Sequence, residues 1–254
     1  MEVMERAVEL EAAGAQVLHL GLGEPDAPPP PAAVEAASRA LAEGRTRYTD
    51  SRGLRALREA IAADKERRTG VAVDPDRVLV TSGTSPAMLI VFSLLVEPGD
   101  EVVLGAPYYP CYPNFVRLCG GVPIAVPCDP ADGFALRAER VKAAIGPRTR
   151  AIVVASPANP TGAVQSLASF EELAALGLRV AVPPAGAFYV LADARHVDRD
   201  SRRLAFRILE EAHVAVTPGI DFGDAAEGFL RFCYAVSDDT LDTALLRMRR
   251  VLAP

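Results

Sequence analysis

Several stretches of this chain hold side chains arranged for binding chemistry. Ser156-Pro157-Ala158-Asn159-Pro160-Thr161-Gly162 fixes an amide, able both to donate and to accept, between two prolines. It follows the apolar run Ala151-Ile152-Val153-Val154-Ala155, which has no polar alternation and reads as a strand of a parallel sheet buried on both faces. Asn159 is therefore expected at the carboxyl end of a strand, where open α/β sheets place ligands. An ordinary strand-to-helix turn fits the same residues. Thr81-Ser82-Gly83-Thr84-Ser85-Pro86 is a small-residue loop opening a helix, with Ser85 as amino-terminal cap and Pro86 at the first helical position. Free backbone N–H groups and a positive dipole end suit an anion there, although a well-capped helix alone would look the same. Pro107-Tyr108-Tyr109-Pro110-Cys111-Tyr112-Pro113 concentrates aromatic rings between prolines, more than a surface turn calls for. Arg231 sits in the apolar string Phe229-Leu230-Arg231-Phe232, and a buried guanidinium needs a partner. Its planar fork suits a carboxylate held by two hydrogen bonds, or a structural ion pair.

These residues need an α/β scaffold, and the rhythm of the chain supplies one. Strands are predicted at Val78–Val80, Glu101–Leu104, Val122–Val126 and Ala151–Ala155, with helices at Pro86–Leu95, Tyr112–Cys119 and Arg137–Ile145 between them. Upstream, residues 1–13 predict a short amphipathic helix, and further helices are expected over Ala32–Glu43 and from Leu54 to a stop at Gly70. Downstream, helices are predicted at Leu167–Leu176, Ser201–Ala212 and Asp239–Leu252, with strands at Val214–Thr217 and Phe229–Tyr234. The Gly21-Leu22-Gly23 string is, by itself, a turn.

The 254 residues, 50% of them hydrophobic, suffice for one large or two modest cores. A net charge of −6 leaves no electrostatic footprint for nucleic acid. The longest apolar run, Ala87 to Val96, is too short to span a bilayer, and the charged start Met1–Arg6 does not read as a signal peptide. Four cysteines without paired spacing and three scattered histidines predict thiols in a reducing cytoplasm and no metal site. Lys65 and Lys142 are the only lysines, both on charged helices.

Six motifs, in order, resemble those of the class I/II aminotransferases, the fold-type I enzymes that use pyridoxal phosphate. They are Gly23-Glu24-Pro25-Asp26, the Tyr48…Gly53…Leu57-Arg58 string, the Thr81–Pro86 loop, the tyrosine segment, the Ser156–Gly162 loop, and Pro184-Ala185-Gly186-Ala187-Phe188-Tyr189. The resemblance implies that Gly83, Thr84 and Ser85 cup the cofactor phosphate and that Tyr48 reaches the phosphate of a neighbouring subunit in a homodimer. It implies further that Tyr109 lies flat on the pyridine ring, that Asn159 bonds the ring hydroxyl, and that Gly23 and Arg231 hold the substrate carboxylate. Tyr108 and Tyr112 are assigned to the core.

The same resemblance exposes a gap. After the helix predicted at Leu167–Leu176, the family continues with a long further stretch of its large domain, whereas here Gly177–Val190 already resembles the small domain. The stretch without a counterpart carries the Schiff-base lysine and the aspartate on the pyridinium nitrogen, and no Asp-x-x-Tyr or Ser-x-Ser-Lys string occurs elsewhere. The expected fold is α/β: a truncated large domain over residues 32–176 (an αβα layer with its sheet reduced to four strands) and a small α/β domain from residues 1–31 and 177–254. Loss of the intervening strands predicts either two exposed sheet edges or new pairing between Val78–Val80 and Ala151–Ala155. No catalytic residue is assigned. The expected function is amino-group transfer between an amino acid and a 2-oxo acid, impaired or inactive, with weak, non-covalent cofactor binding. The alternatives are a non-catalytic cofactor- or amino-acid-binding regulatory protein, or a decayed gene product.

Overall fold

The computed structural model describes residues 2–165 and 188–252. The chain divides into two compact units, one of Met1–Asp26 with Phe92–Pro254 and one of Ala27–Val91.

In the first unit a parallel sheet is formed by β2 (Glu101–Ala106), β3 (Val122–Pro127) and β4 (Thr149–Val153), in the order β3-β2-β4. Apolar runs without alternation place β2 at its centre, where Val102, Val103 and Leu104 are buried. The crossovers are α5 (Cys111–Leu118) and α6 (Ala138–Ala144), and Val141 of α6 packs on Val103 and Val126. The carboxyl ends of all three strands therefore point the same way, towards the tyrosine segment and the Ser156–Gly162 loop.

Beside it, an antiparallel sheet β5-β8-β7 is built from Tyr189–Asp193, Phe229–Cys233 and Thr217–Pro218. The short parallel pair β1 (Leu18–His19) and β6 (Val214–Ala215) ties the amino-terminal segment to the carboxy-terminal one. Cys233 N–H extends this tie by donating to Leu20 C=O at 2.7 Å. Helices α1 (Glu2–Ala12), α7 (Ser201–Ala212) and α8 (Asp238–Leu252) close over this core. Asp200 caps α7 by accepting from Arg203 N–H at 2.8 Å, and His213 ends it in the left-handed conformation. Leu204, Ile208 and Leu209 are fully buried on one face of α7, and each such side chain stabilises the fold by about 1.5–3 kcal/mol.

The second unit holds α2 (Pro31–Ala42), α3 (Arg55–Thr69) and the start of α4 (Thr84–Leu95), joined through a 3-10 turn at Pro75–Arg77. Helix α3 ends where Gly70 takes a left-handed φ of 70° and returns its N–H to Glu66 C=O. Helix α2 buries none of its residues.

Four sequence expectations are corrected. Val78–Val80 is not a strand: Val78 is extended, but among the described residues the segment joins no ladder, so the sheet has three strands and β4 pairs with β2 rather than with Val78–Val80. Helix α4 starts at Thr84, which puts Ser85 inside the first turn and not at its cap. The strand expected over Val214–Thr217 divides at Val216 into β6 and β7, which join different sheets. The strand expected over Ala151–Ala155 begins and ends two residues early, at Thr149 and Val153. The helix expected over Leu167–Leu176 lies outside the described residues, as do Pro184–Ala187. No helix among the described residues is long and apolar enough to cross a membrane.

Candidate functional site

Asn159 leaves the end of β4 in a loop that closes on itself. Gly162 N–H donates to Ala158 C=O at 2.7 Å, and Ala158 N–H donates to Ala163 C=O at 2.9 Å. Gln165, itself buried, donates its N–H to Ser156 Oγ at 2.9 Å and accepts from Leu136 N–H at 3.1 Å. Gly162 has a φ of +70°, and a Cβ there would run into the carbonyl of Tyr189, so the loop packs directly against β5.

That packing brings Asn159 to Arg231. Arg231 is 7% exposed, and its Nη1 donates to Asn159 Oδ1 at 3.0 Å. Its Nη2 donates to Thr217 Oγ1 at 3.2 Å and to Gly21 C=O, while Thr217 Oγ1 donates to the same carbonyl at 2.7 Å. The guanidinium carbon lies 4.6 Å from the Tyr189 ring centroid and 4.8 Å from that of Phe222. Nε is buried without a hydrogen-bond partner. Its hydrogen bonds go to neutral oxygens and two rings face its charge, with the Asp221 carboxylate adding attraction without a hydrogen bond to it. Burial pulls its pKa below the usual arginine value and pushes the Tyr189 phenol above its own.

Gly23 belongs to the same cluster. A Cβ on it would fall on the Tyr189 hydroxyl, so only glycine lets the backbone pass this closely. Gly23, Asn159 and Arg231, three residues selected from sequence, thus meet around Tyr189. Thr217, Phe222 and Gly21 complete the cluster and were missed. In the sequence Tyr189 stands out only as the last residue of the Pro184–Tyr189 motif. Phe222 and Thr217 carry no chemical signal of their own in the sequence.

Within the tyrosine segment, Tyr109 meets Tyr112 edge-on at 5.5 Å between centroids. Tyr108 N–H donates to Phe222 C=O at 3.3 Å, tying this segment to the residue that covers Arg231. Tyr108, Tyr112, Cys128, Phe134 and Asn159 help line a cavity of about 30 Å³, with no charged side chain among the described residues of its wall. Burial pushes the Cys128 thiol up to about 11, which keeps it protonated at neutral pH.

In the other unit, Gly83 is exposed, with φ +99°, and its carbonyl accepts from Thr81 Oγ1 at 2.7 Å. Thr84 and Ser85 are the first residues of α4, whose leading N–H groups have no intrahelical acceptor. Tyr48 is fully exposed. Lys65 lies on α3 and Lys142 on α6, the latter exposed.

A family model described as "Aminotransferase class I and II" matches residues 15–179 and 170–248. The chain belongs to the class I and II aminotransferases. The two matched stretches meet where the sequence places the gap. Among curated class I and II relatives, the aspartate/prephenate aminotransferase of Thermus thermophilus is 33% identical over 368 positions, covering 98% of this chain and 94% of that protein. An alignment of that length exceeds the 254 residues here and so crosses a long internal gap. The probable aspartate/prephenate aminotransferase of Thermus aquaticus is 44% identical over 177 residues, 70% of this chain and 46% of that one. The chain thus spans about half the length of that second relative.

Solved class I and II structures agree. Aspartate aminotransferase from Thermus thermophilus with maleate superposes with a TM-score of 0.88 at 32% identity, over 99% of this chain and 96% of that one. An aminotransferase from Mycobacterium tuberculosis gives 0.90 at 25% identity, over 99% and 95%. The fold is the α/β fold of fold-type I aminotransferases.

Proposed function

We propose that this chain keeps the ligand-binding half of an aminotransferase site, while the amino-group transfer of its family is impaired or lost. The observation that carries this is Arg231: a buried guanidinium with one N–H unpaired, framed by two rings, and hydrogen-bonded to Asn159 instead of a carboxylate. Such a group recognises the carboxylate of an amino acid or 2-oxo acid, and Gly23, whose backbone the family resemblance sets near that carboxylate, lies against the Tyr189 hydroxyl beside it.

Pyridoxal phosphate fits these residues in part. In the first unit Tyr109 would face its ring, and Asn159, its Oδ1 engaged by Arg231, has its amide N–H groups for the ring hydroxyl; the second unit, taken by itself, offers the leading N–H groups of Gly83, Thr84 and Ser85 to a phosphate. When bound, the cofactor supplies an electron sink for bonds to the amino acid's α-carbon. The chain's own contribution is to orient: Arg231 sets the carboxylate, and Asn159 links it to the cofactor end. What does not fit is covalent attachment, since Lys65 and Lys142 lie on helices and neither lines the Asn159 cavity. Binding is therefore weak and non-covalent. In this reading residues 32–176 form the cofactor domain and residues 1–31 with 177–254 the small domain. Two chains pair in the cytoplasm so that each exposed Tyr48 faces the other's Gly83–Ser85 loop.

The test is titration with pyridoxal phosphate, borohydride reduction with peptide mapping, and turnover of several amino acids with 2-oxoglutarate. Reversible binding, labelling spread below stoichiometry over amines, and no turnover are expected. Stoichiometric labelling of one lysine, with transamination lost when that lysine is replaced, would overturn the reading of the catalytic half. The second reading, a regulatory binder of amino acids, is favoured by the assembled Arg231 cluster, and would show as amino-acid binding that does not depend on cofactor.

A further inference from the structure

Helix α3 is highly charged and largely exposed, yet Arg58 is 2% exposed within it. Its Nε donates to Gly53 C=O at 3.2 Å, and its Nη1 donates to Pro75 C=O and to Asp76 Oδ1, both at 3.0 Å. Two further links run between the same segments. Val80 N–H donates to Arg52 C=O at 2.9 Å. Gly53, at φ +98°, lies so close to Val80 that an added Cβ would stand 2.7 Å from Val80 Cβ. The loop carrying Tyr48 and the segment leading to Thr81–Ser85 are therefore stapled at one junction. Tyr48 precedes it, and Gly83 follows it after a turn closed by Thr81 Oγ1.

We propose that Arg58 is a positioning residue that fixes the Tyr48 loop relative to the phosphate loop of the same chain. This rests on the reading of Tyr48 and Gly83–Ser85 given above and extends it. A chain that lends Tyr48 to its neighbour and holds a phosphate on its own loop must keep the two in register. Because Arg58 binds two backbone carbonyls and a carboxylate at once, ordering one segment orders the other. Phosphate on one chain's loop is thereby coupled to the tyrosine it lends to the other site, and the coupling is reciprocal.

Hydrogen exchange, followed amide by amide with and without inorganic phosphate, tests this. Without phosphate, Arg58→Met should speed exchange at Arg52, Gly53 and Val80 together, by about tenfold for the loss of buried bonds of this kind, and leave α7 unchanged. Arg58→Lys should restore part of the protection. In the wild type, phosphate should slow exchange at Gly83–Ser85 and also at Arg52 and Gly53. In Arg58→Met the first effect should remain and the second vanish. Acceleration of only one segment, or of neither, overturns the proposal, as does phosphate protection of Arg52 and Gly53 that survives in Arg58→Met. If phosphate protects nothing in the wild type, the reading of the Gly83–Ser85 loop fails, and the phosphate-free comparison still decides the role of Arg58. Should Arg58→Met not fold, Asp76→Asn, which keeps both carbonyl bonds, must show a smaller acceleration of the same amides.

Discussion

Arg231 Nη1 and Asn159 Oδ1 are 3.0 Å apart, although 72 positions separate the two residues in the chain. Asn159 thus occupies one N–H of the fork with a neutral acceptor. On the proposed reading, an incoming carboxylate would meet a guanidinium already aimed by Asn159, Thr217 and Gly21.

Replacing Arg231 by leucine should abolish carboxylate binding, and Arg231→Lys should weaken it about 10- to 100-fold, the usual range for hydrogen bonds to charged groups. Asn159→Ala frees Nη1 and should leave 2-oxo acid affinity within a few-fold while weakening pyridoxal phosphate binding. Calorimetric titration of each variant with pyruvate, 2-oxoglutarate and pyridoxal phosphate separates these outcomes. Equal loss of all three ligands in Asn159→Ala would contradict the assignment.

Gly23→Ala places a methyl on the Tyr189 hydroxyl, and Tyr189 carries the face on which Arg231 rests. The expected cost is about 1–3 kcal/mol, the range for overpacking a tight site, with carboxylate affinity falling alongside. Urea unfolding and ligand titration of the same variant measure both. Adding Tyr189→Phe should recover part of the stability, because the atom nearest the new methyl is then gone.

Association is predicted from what the second unit leaves uncovered. Helix α2 buries no residue, Leu41 and Leu54 are 67% and 58% exposed, and Tyr48 is wholly exposed. Surface of this kind marks an interaction face. Sedimentation should find dimers or larger species at micromolar concentration, shifted towards monomer by Leu41→Glu. A monodisperse monomer would count against the paired arrangement.

Acid should destabilise the first unit, where Asp193 and Asp198 lie. Hydrogen bonds from Arg195 hold Asp193 at about 2, and bonds from Arg203 do the same for Asp198. Both folded values lie below the unfolded value of about 4, so the stabilisation is complete above that pH and is lost as pH falls towards 2. Asp221, raised by burial, acts in the opposite sense and offsets part of the loss. Urea midpoints measured from pH 5 down to pH 2.5 should fall, and Arg203→Gln should flatten the slope.

Local chemistry made much of this legible in the sequence. The apolar run of β2 specifies a central parallel strand because a strand buried on both faces cannot alternate. By contrast β4, expected to be equally buried, is an edge strand among the described residues and only half-buried, and much of β3 is half-buried or exposed. Helix α7 runs over Ser201–Ala212 as expected, since an amphipathic repeat after Asp200 specifies a capped, half-buried helix. Residue type marked Asn159 and Arg231, and the resemblance of Gly23-Glu24-Pro25-Asp26 to the aminotransferase motif marked Gly23. Tertiary structure decided the rest. Val78–Val80 has strand-like residues, but a strand exists only within a ladder, and among the described residues the segment joins none. Sequence left Arg231 open to a structural ion pair. Only the packing of the Ser156–Gly162 loop on β5 settles its company as Asn159, Thr217 and two aromatic rings, because burial and distance belong to the folded chain and to no single segment of it.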